Sequence, residues 1–331
     1  MTTKKYPLEL ELPWVEKYRP KYLDEVVGNV ETINALKRIS KDGNLPHLIL
    51  SGSPGIGKTT TILCLARELF NNDEKLLKEG ILELNASDDR GIEIVRNLIK
   101  NFSQKKVLLP YNRHKIIILD EADSITSSAQ QALRRTMEIY SNSTRFIFSC
   151  NQSNKIIEPL QSRCSILRFN KLKDEEILII LKRILKNEGI ESFTNDGLSS
   201  IIFTSDGDLR QAINNLQSVY YGFKLINSEN VFKIVDLPNP LIVNRMIKEC
   251  LNGEIDKGLT ILKELWNKGY SAIDIINVCF KVCKTINSDD NIDNEKQLKI
   301  LRNIGECQMR VVEGVSSFLQ LSSMLVSLCD V

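Results

Sequence analysis

The residues best suited to chemistry lie in one short run, Gly52-Ser53-Pro54-Gly55-Ile56-Gly57-Lys58-Thr59, between strand-like His47-Leu48-Ile49-Leu50-Ser51 and helix-like Thr60 to Arg67. Glycines there let the backbone curl, so that successive N–H groups point inward at the positive end of the following helix. Such a cradle holds phosphate. Lys58 would reach the β- and γ-phosphates of a nucleotide and Thr59 would ligate Mg²⁺, with Thr60 opening the helix beside them. A glycine turn that binds nothing is the other reading, but the motif's strand, loop and helix context is present throughout. A second run, Lys115-Ile116-Ile117-Ile118-Leu119-Asp120-Glu121, is a β-branched strand ending in two carboxylates. Asp120 suits a hard cation, which takes oxygen ligands. Glu121 is placed to accept a proton from water attacking a γ-phosphate. The pair favours hydrolysis over storage of the nucleotide.

Both runs need a parallel sheet to bring them together, and the sequence supplies its pattern. Residues 1–168 alternate strand-like runs (48–51, 81–85, 115–120 and 145–151) with helical periods, as in a sheet covered on both faces. From Lys171 the strands stop. Three helical periods at 173–187, 196–204 and 209–220 follow, so residues 169–231 read as a small helical lid. After Asp236-Leu237-Pro238-Asn239-Pro240 the chain is helical again, and 232–331 reads as an all-α domain; it includes a helix over 271–285 capped by Ser271 and Asp274 and a polar loop at 287–290. The fold class is an α/β phosphate-loop ATPase core, a helical lid and an all-α C-terminal domain.

Composition narrows the setting. The 331 residues carry a net charge of only +2, so nucleic-acid binding would need a local patch. Residues 96–115 provide one, with Arg96, Lys100, Lys105, Lys106, Arg113 and Lys115 and no acid among them; a solvated helix face is the alternative. No apolar run approaches the twenty residues of a membrane span, and Met1 to Pro7 lacks the apolar core of a secretory signal, so an intracellular protein without a membrane partner is expected. The eight cysteines contain no C-x-x-C pair, and neither a zinc ribbon nor a disulfide framework is indicated. Cys279 and Cys283, one helical turn apart, read as a core pair.

Further motifs carry a resemblance. Trp14-Val15-Glu16-Lys17-Tyr18-Arg19-Pro20, Val27-Gly28-Asn29, Glu83 to Gly91, Gln131 to Glu138, Ser162-Arg163-Cys164 and Gly207-Asp208-Leu209-Arg210 together resemble the AAA+ clamp loaders, specifically the eukaryotic replication factor C small subunits, over nearly the whole chain. Leu12-Pro13-Trp14 and Ile156-Ile157-Glu158-Pro159 narrow the likeness within that group. The resemblance implies ATP and Mg²⁺ as cofactors, with Val15, Tyr18, Arg19, Val27 and Gly28 around adenine. It implies that Asn151 and Arg210 contact the γ-phosphate, the first as sensor 1 and the second from the lid as sensor 2. Arg163 would act in trans on the γ-phosphate of a neighbouring subunit. The implied partners are the other subunits of a heteropentamer, joined through a C-terminal collar, a sliding clamp, and the double-strand/single-strand junction of primed DNA, with residence in the nucleus. Arg90, Arg96 and Lys100 would track DNA phosphates, and Leu98, Ile99 and Phe102 would offer a clamp contact, although helical core explains those three equally. Without the resemblance, Asn151 reads as a strand-end turn residue, and Arg163 and Arg210 as solvated arginines. Ser53, Ile56 and Asp88 depart from the family's common proline, threonine and asparagine. Backbone N–H groups do most of the phosphate work, so the first two should be tolerated. Asp88 would weaken a DNA contact. Another AAA+ machine, a metabolic phosphate-loop kinase and a scaffold that binds ATP without turnover are the competing readings; a kinase would need a second-substrate pocket and no Arg163 in trans, and a scaffold would ignore Glu121→Gln.

Overall fold

The computed structural model describes residues 12–86, 92–110, 112–285 and 294–329. The chain forms two compact units, one ending at Lys224 and the other beginning at Leu225. In chain order the first holds α1 (Trp14–Lys17), α2 (Val30–Asp42), β1 (Leu48–Ser51), α3 (Lys58–Leu69), α4 (Glu74–Gly80), β2 (Ile81–Asn85), α5 (Ile92–Gln104), β3 (Lys115–Asp120) and α6 (Ser127–Ile139). It continues with β4 (Thr144–Cys150), α7 (Glu158–Gln161), β5 (Ser165–Arg168), α8 (Asp174–Asn187), α9 (Asn195–Ser205) and α10 (Leu209–Phe223).

The five strands form one parallel sheet in the order β2-β3-β4-β1-β5. Strand side chains alternate between faces, and here each face buries a different set. Leu48, Leu50, Ile116, Ile118 and Ile147 pack with α2 and α3, whereas Ile49, Ile117, Leu119, Phe146 and Phe148 pack with Ile99 of α5, Leu133 and Met137 of α6 and Leu160 of α7. Double-sided burial explains why the central strands read as continuous apolar runs. Strand β5 was not marked by the sequence pattern. It is a four-residue edge strand whose side chains are mostly exposed, so burial left little apolar imprint on Ser165-Ile166-Leu167-Arg168.

Helices α8 to α10 follow the sheet. Ile177, Leu181, Ile184 and Leu185 make the buried stripe of α8, at the spacing a one-sided helix requires. Thr194 and Asp208 cap α9 and α10, accepting from the N–H groups of Gly197 and Gln211. The second unit holds α11 (Ser228–Ile234), α12 (Pro240–Leu251), α13 (Ile255–Asn267), α14 (Ala272–Thr285), α15 (Asn294–Val312) and α16 (Phe318–Cys329). Its core is built around Met246, Leu262, Ile275, Ile304 and Leu325, with Cys279 and Cys283 buried together in it. Ser271 Oγ accepts the Asp274 N–H at 3.1 Å, giving the cap expected for α14. The polar 287–290 segment lies outside the described residues. Among the described residues no helix is long and apolar enough to cross a membrane.

Candidate nucleotide site

The order of the strands determines where the chemistry converges. Strands β3, β4 and β1 are neighbours, so their C-terminal ends deliver Asp120-Glu121, Asn151 and the glycine run side by side. Gly57 stands in the left-handed region at φ 92° as the N-cap of α3, whose first turn contributes unpaired N–H groups and the positive end of its dipole. Gly55 is also left-handed, at φ 68°. Gly52 is required for a different reason: a Cβ there would approach Ile56 Cδ1 to 2.7 Å and overlap the Phe169 carbonyl.

Lys58 is 7% exposed and its Nζ donates to the carbonyls of Gly52 and Ser53, each at 2.7 Å, and to Asn151 Oδ1 at 3.0 Å. Burial draws its pKa below the ordinary lysine value, against the opposing pull of Asp120. Thr59 Oγ1 donates to Asp120 Oδ2 at 2.8 Å, bringing together two oxygen ligands suited to a hard cation. Glu121 holds the left-handed conformation, φ 52° and ψ 41°, which costs a non-glycine residue about 1–2 kcal/mol. Its backbone N–H donates to Asp120 Oδ1 at 3.0 Å, and its side chain is exposed at the site.

These groups border a cavity of about 430 Å³. Pro54, Gly55, Ile56, Gly57, Lys58, Thr59, Thr60, Asp120, Glu121, Asn151 and Arg210 line it, as do Val15, Tyr18, Arg19 and Val27. Three expected residues stand outside the lining: Gly52 and Ser53, whose carbonyls anchor Lys58 from beneath, and Gly28. A Cβ on Gly28, at φ 84°, would overlap Leu172, so this glycine permits close packing behind the cavity wall. The α10 end is joined to the phosphate loop directly, since the Leu209 N–H donates to the Gly55 carbonyl at 3.2 Å and the Asp208 carboxylate abuts Gly55.

Arg163 lies away from this cavity. Its guanidinium donates to the Pro159 carbonyl at 2.8 Å and to Glu138 Oε1 at 2.6 Å. Hydrogen bonding from Arg134 lowers the pKa of Glu138, and Arg163 adds to the effect. On α5, Lys100 and Leu98 are exposed, Phe102 is half-buried and Ile99 is fully buried, which makes Ile99 core. Arg90 and Asp88 lie outside the described residues, and of Arg96 only the backbone is described.

Several contributors to the site carry only a faint signal in their local sequence. Ile180, Arg183 and Ile184 of α8 line the cavity, and their 180/183/184 spacing is a one-face helical signal. Gln130, 2% exposed, donates to the carbonyls of Ile125 and Lys155 and accepts the Ile157 N–H, bracing the segments that follow β3 and β4. A glutamine three residues before Leu133 on the buried face of α6 was the available signal.

A parallel sheet with a glycine cradle, a buried lysine and a threonine–aspartate pair at its carboxyl edge defines a nucleotide-binding ATPase of the AAA class. The family model for the "ATPase family associated with various cellular activities" matches residues 48–172, and that for the "Replication factor C C-terminal domain" matches 238–327. The chain is 58% identical to replication factor C subunit 4 of Saccharomyces cerevisiae over 97% of both chains. It is 52% identical to subunit 2 of Arabidopsis thaliana, over 96% of this chain and 92% of the relative. Identity to the replication factor C small subunit of Methanococcus vannielii is 42%, over 96% and 99% of the two chains. Among solved structures, the Thermotoga maritima RuvB Holliday junction branch migration motor shares the fold with a TM-score of 0.55 at 20% identity, covering 71% of this chain and 79% of that one. The chain belongs to the replication factor C family of clamp-loader ATPases, on the branch named subunit 4 in yeast.

Proposed function

We propose that this chain binds ATP with Mg²⁺ and works as one ATPase subunit of a heteropentameric clamp loader in the nucleus, opening a ring-shaped sliding clamp and placing it on primed DNA. The observation that supports this most is the pair of contacts made by adjacent residues at the start of α3, Lys58 Nζ to Asn151 Oδ1 at 3.0 Å and Thr59 Oγ1 to Asp120 Oδ2 at 2.8 Å. Thr59 and Asp120 would hold Mg²⁺, which would draw charge from the phosphate oxygens. Lys58 would exchange its carbonyl partners for the β- and γ-phosphates, and backbone N–H groups of residues 55–59 would hold the remaining phosphate oxygens. Glu121 would orient the attacking water and accept its proton. Asn151 and Arg210 would contact the γ-phosphate from the sheet and from α10. Val15, Tyr18, Arg19 and Val27 would enclose the base, with Gly28 allowing the wall behind them to close.

Residues 1–168 would act as the ATPase core, 169–231 as a lid and 232–331 as a collar joining the subunits. Arg163 would leave Glu138 to reach the γ-phosphate on the neighbouring subunit, where an arginine in trans can raise the rate by about 10³ to 10⁵. Arg90, Arg96 and Lys100 would follow DNA phosphates, which need charge and not base identity, and the exposed Leu98 end of α5 would meet the clamp. The test is ATP turnover by the complex that copurifies with the tagged chain. Joint stimulation by primed DNA and sliding clamp is expected. Arg163→Ala should leave this chain's ATP binding intact and impair hydrolysis at the adjacent site. Turnover indifferent to both effectors would overturn the clamp-loader assignment, and equal loss of binding and hydrolysis would overturn the role of Arg163.

A further inference from the structure

The segment that forms one wall of the cavity has two different attachments. Its first half is bound to the three-helix segment. The Trp14 N–H donates to Gln217 Oε1 of α10 at 3.0 Å, and the Trp14 ring, 2% exposed, packs on Tyr220 and Tyr221. At the end of α8, Glu188 Oε1 accepts from the Tyr18 hydroxyl at 2.7 Å and from Lys17 Nζ at 2.6 Å. The second half is bound to the sheet-bearing core. Cys64 of α3 donates its thiol to the Pro20 carbonyl, and the Leu23 N–H donates to Glu68 Oε1 at 2.9 Å. The change of attachment falls at Arg19, inside the cavity wall.

Tyr18 therefore reaches the cavity from a chain segment tied to α8 and α10, whereas Val26, which also lines it, packs on the sheet core. The Glu188 side chain is 19% exposed and does not itself line the cavity, so its contacts with Tyr18 and Lys17 are its route to the site. Burial raises the pKa of the Tyr18 phenol, and its bond to the Glu188 carboxylate adds to this, so the hydroxyl stays protonated and able to donate.

We propose that Glu188 is a positioning residue of the nucleotide site: by holding the Tyr18 hydroxyl and the Lys17 ammonium on the end of α8, it sets the base-side wall of the cavity. This rests on the reading of Tyr18 as a base-side residue. An ordinary surface ion pair would leave nucleotide affinity unchanged. A positioning role instead predicts a defect confined to ligands that carry a base, since Glu188 bonds to Tyr18 and Lys17 and shares no hydrogen bond with Lys58, whose partners are Gly52, Ser53 and Asn151.

The full chain and its variants are titrated calorimetrically with ATP, with ADP and with inorganic tripolyphosphate, which has neither base nor ribose. Glu188→Ala is expected to weaken ATP and ADP by one common factor, about 5-fold, and to leave tripolyphosphate unchanged. Glu188→Gln keeps an oxygen that can accept the Tyr18 hydroxyl and should stay within about 2-fold of the parent. Tyr18→Phe should reproduce most of the Glu188→Ala loss, and the double variant should add little to it. Unchanged ATP and ADP affinity in Glu188→Ala would overturn the proposal, as would an equal loss of tripolyphosphate. If Tyr18→Ala also leaves ATP and ADP unchanged while Lys58→Ala abolishes binding, the base-side reading of Tyr18 fails, and the proposal for Glu188 falls with it.

Discussion

Replacing Gly55 with alanine tests the join between the phosphate loop and α10. Gly55 sits at φ 68°, where an alanine costs about 1–2 kcal/mol relative to glycine. The new methyl would also occupy the space of the Asp208 carboxylate, forcing that side chain away. Asp208 would then lose its cap bond to the Gln211 N–H, worth about 1 kcal/mol, and the bond from Leu209 N–H to the Gly55 carbonyl would be strained at a cost of about 1 kcal/mol. The sum is about 3–4 kcal/mol. In an Asp208→Ala background the obstruction and the cap are already gone, so the same change should cost only the backbone penalty of about 1–2 kcal/mol. A double-mutant cycle should therefore return a coupling of about 2 kcal/mol. The chain has two tryptophans, and Trp14 packs against α10. Urea unfolding followed by Trp14 fluorescence, in a Trp266→Phe background, reads the affected unit directly. An equal cost of Gly55→Ala with and without Asp208 would refute the reasoning.

Glu121→Gln should leave ATP affinity within about 3-fold and slow hydrolysis by about 10²- to 10³-fold in single-turnover assays of the assembled complex; unchanged hydrolysis would remove Glu121 from the chemistry. Lys115, 4% exposed, donates Nζ to the carbonyls of Phe102, Ser103 and Lys105 at the end of α5, and Lys115→Met should lower stability by about 2–3 kcal/mol by leaving them unpaired, as checked by denaturation. Burial, with Arg145 and His114 nearby, brings the His47 pKa down to about 4. The unfolded chain takes up that proton near pH 6.5, so the contribution of His47 is intact above pH 6.5 and is lost as pH falls towards 4, by about 2 kcal/mol after allowing for its partial exposure. His47→Asn, which can still accept the Phe146 N–H, should flatten that part of the stability profile; parallel profiles would refute this.

What could be read from the sequence depended on the range of the interaction responsible. The glycine run and the Ile116 to Glu121 strand were legible because strand, turn and helix signals lie within a few residues of the chemistry. The core helices were legible because burial imposes a period, and α8 begins within one residue of expectation, at Asp174. The contacts that complete the site were not legible. Tyr18 and Glu188 are 170 residues apart, and Trp14 and Gln217 are 203 apart. Nothing local to either partner records the other. Asn151 and Arg210 stand between these cases: their local sequences suggest a turn and a solvated arginine, and only the family resemblance singled them out. Edge strand β5 was missed because a strand with one neighbour and exposed side chains carries almost no pattern.

The order of the strands has a metrical consequence. Adjacent strands lie about 4.8 Å apart, so the ends of β3, β4 and β1 mark three stations about 5 and 10 Å along one edge. That graduated scale is fixed by main-chain hydrogen bonds, which do not depend on which side chains fill the strands. Sequence can therefore drift to one identical residue in five, as between this chain and the branch-migration motor, while the ruler keeps its divisions. Innovation on such a scaffold is cheapest in what is mounted at each station and hardest in the distance between them.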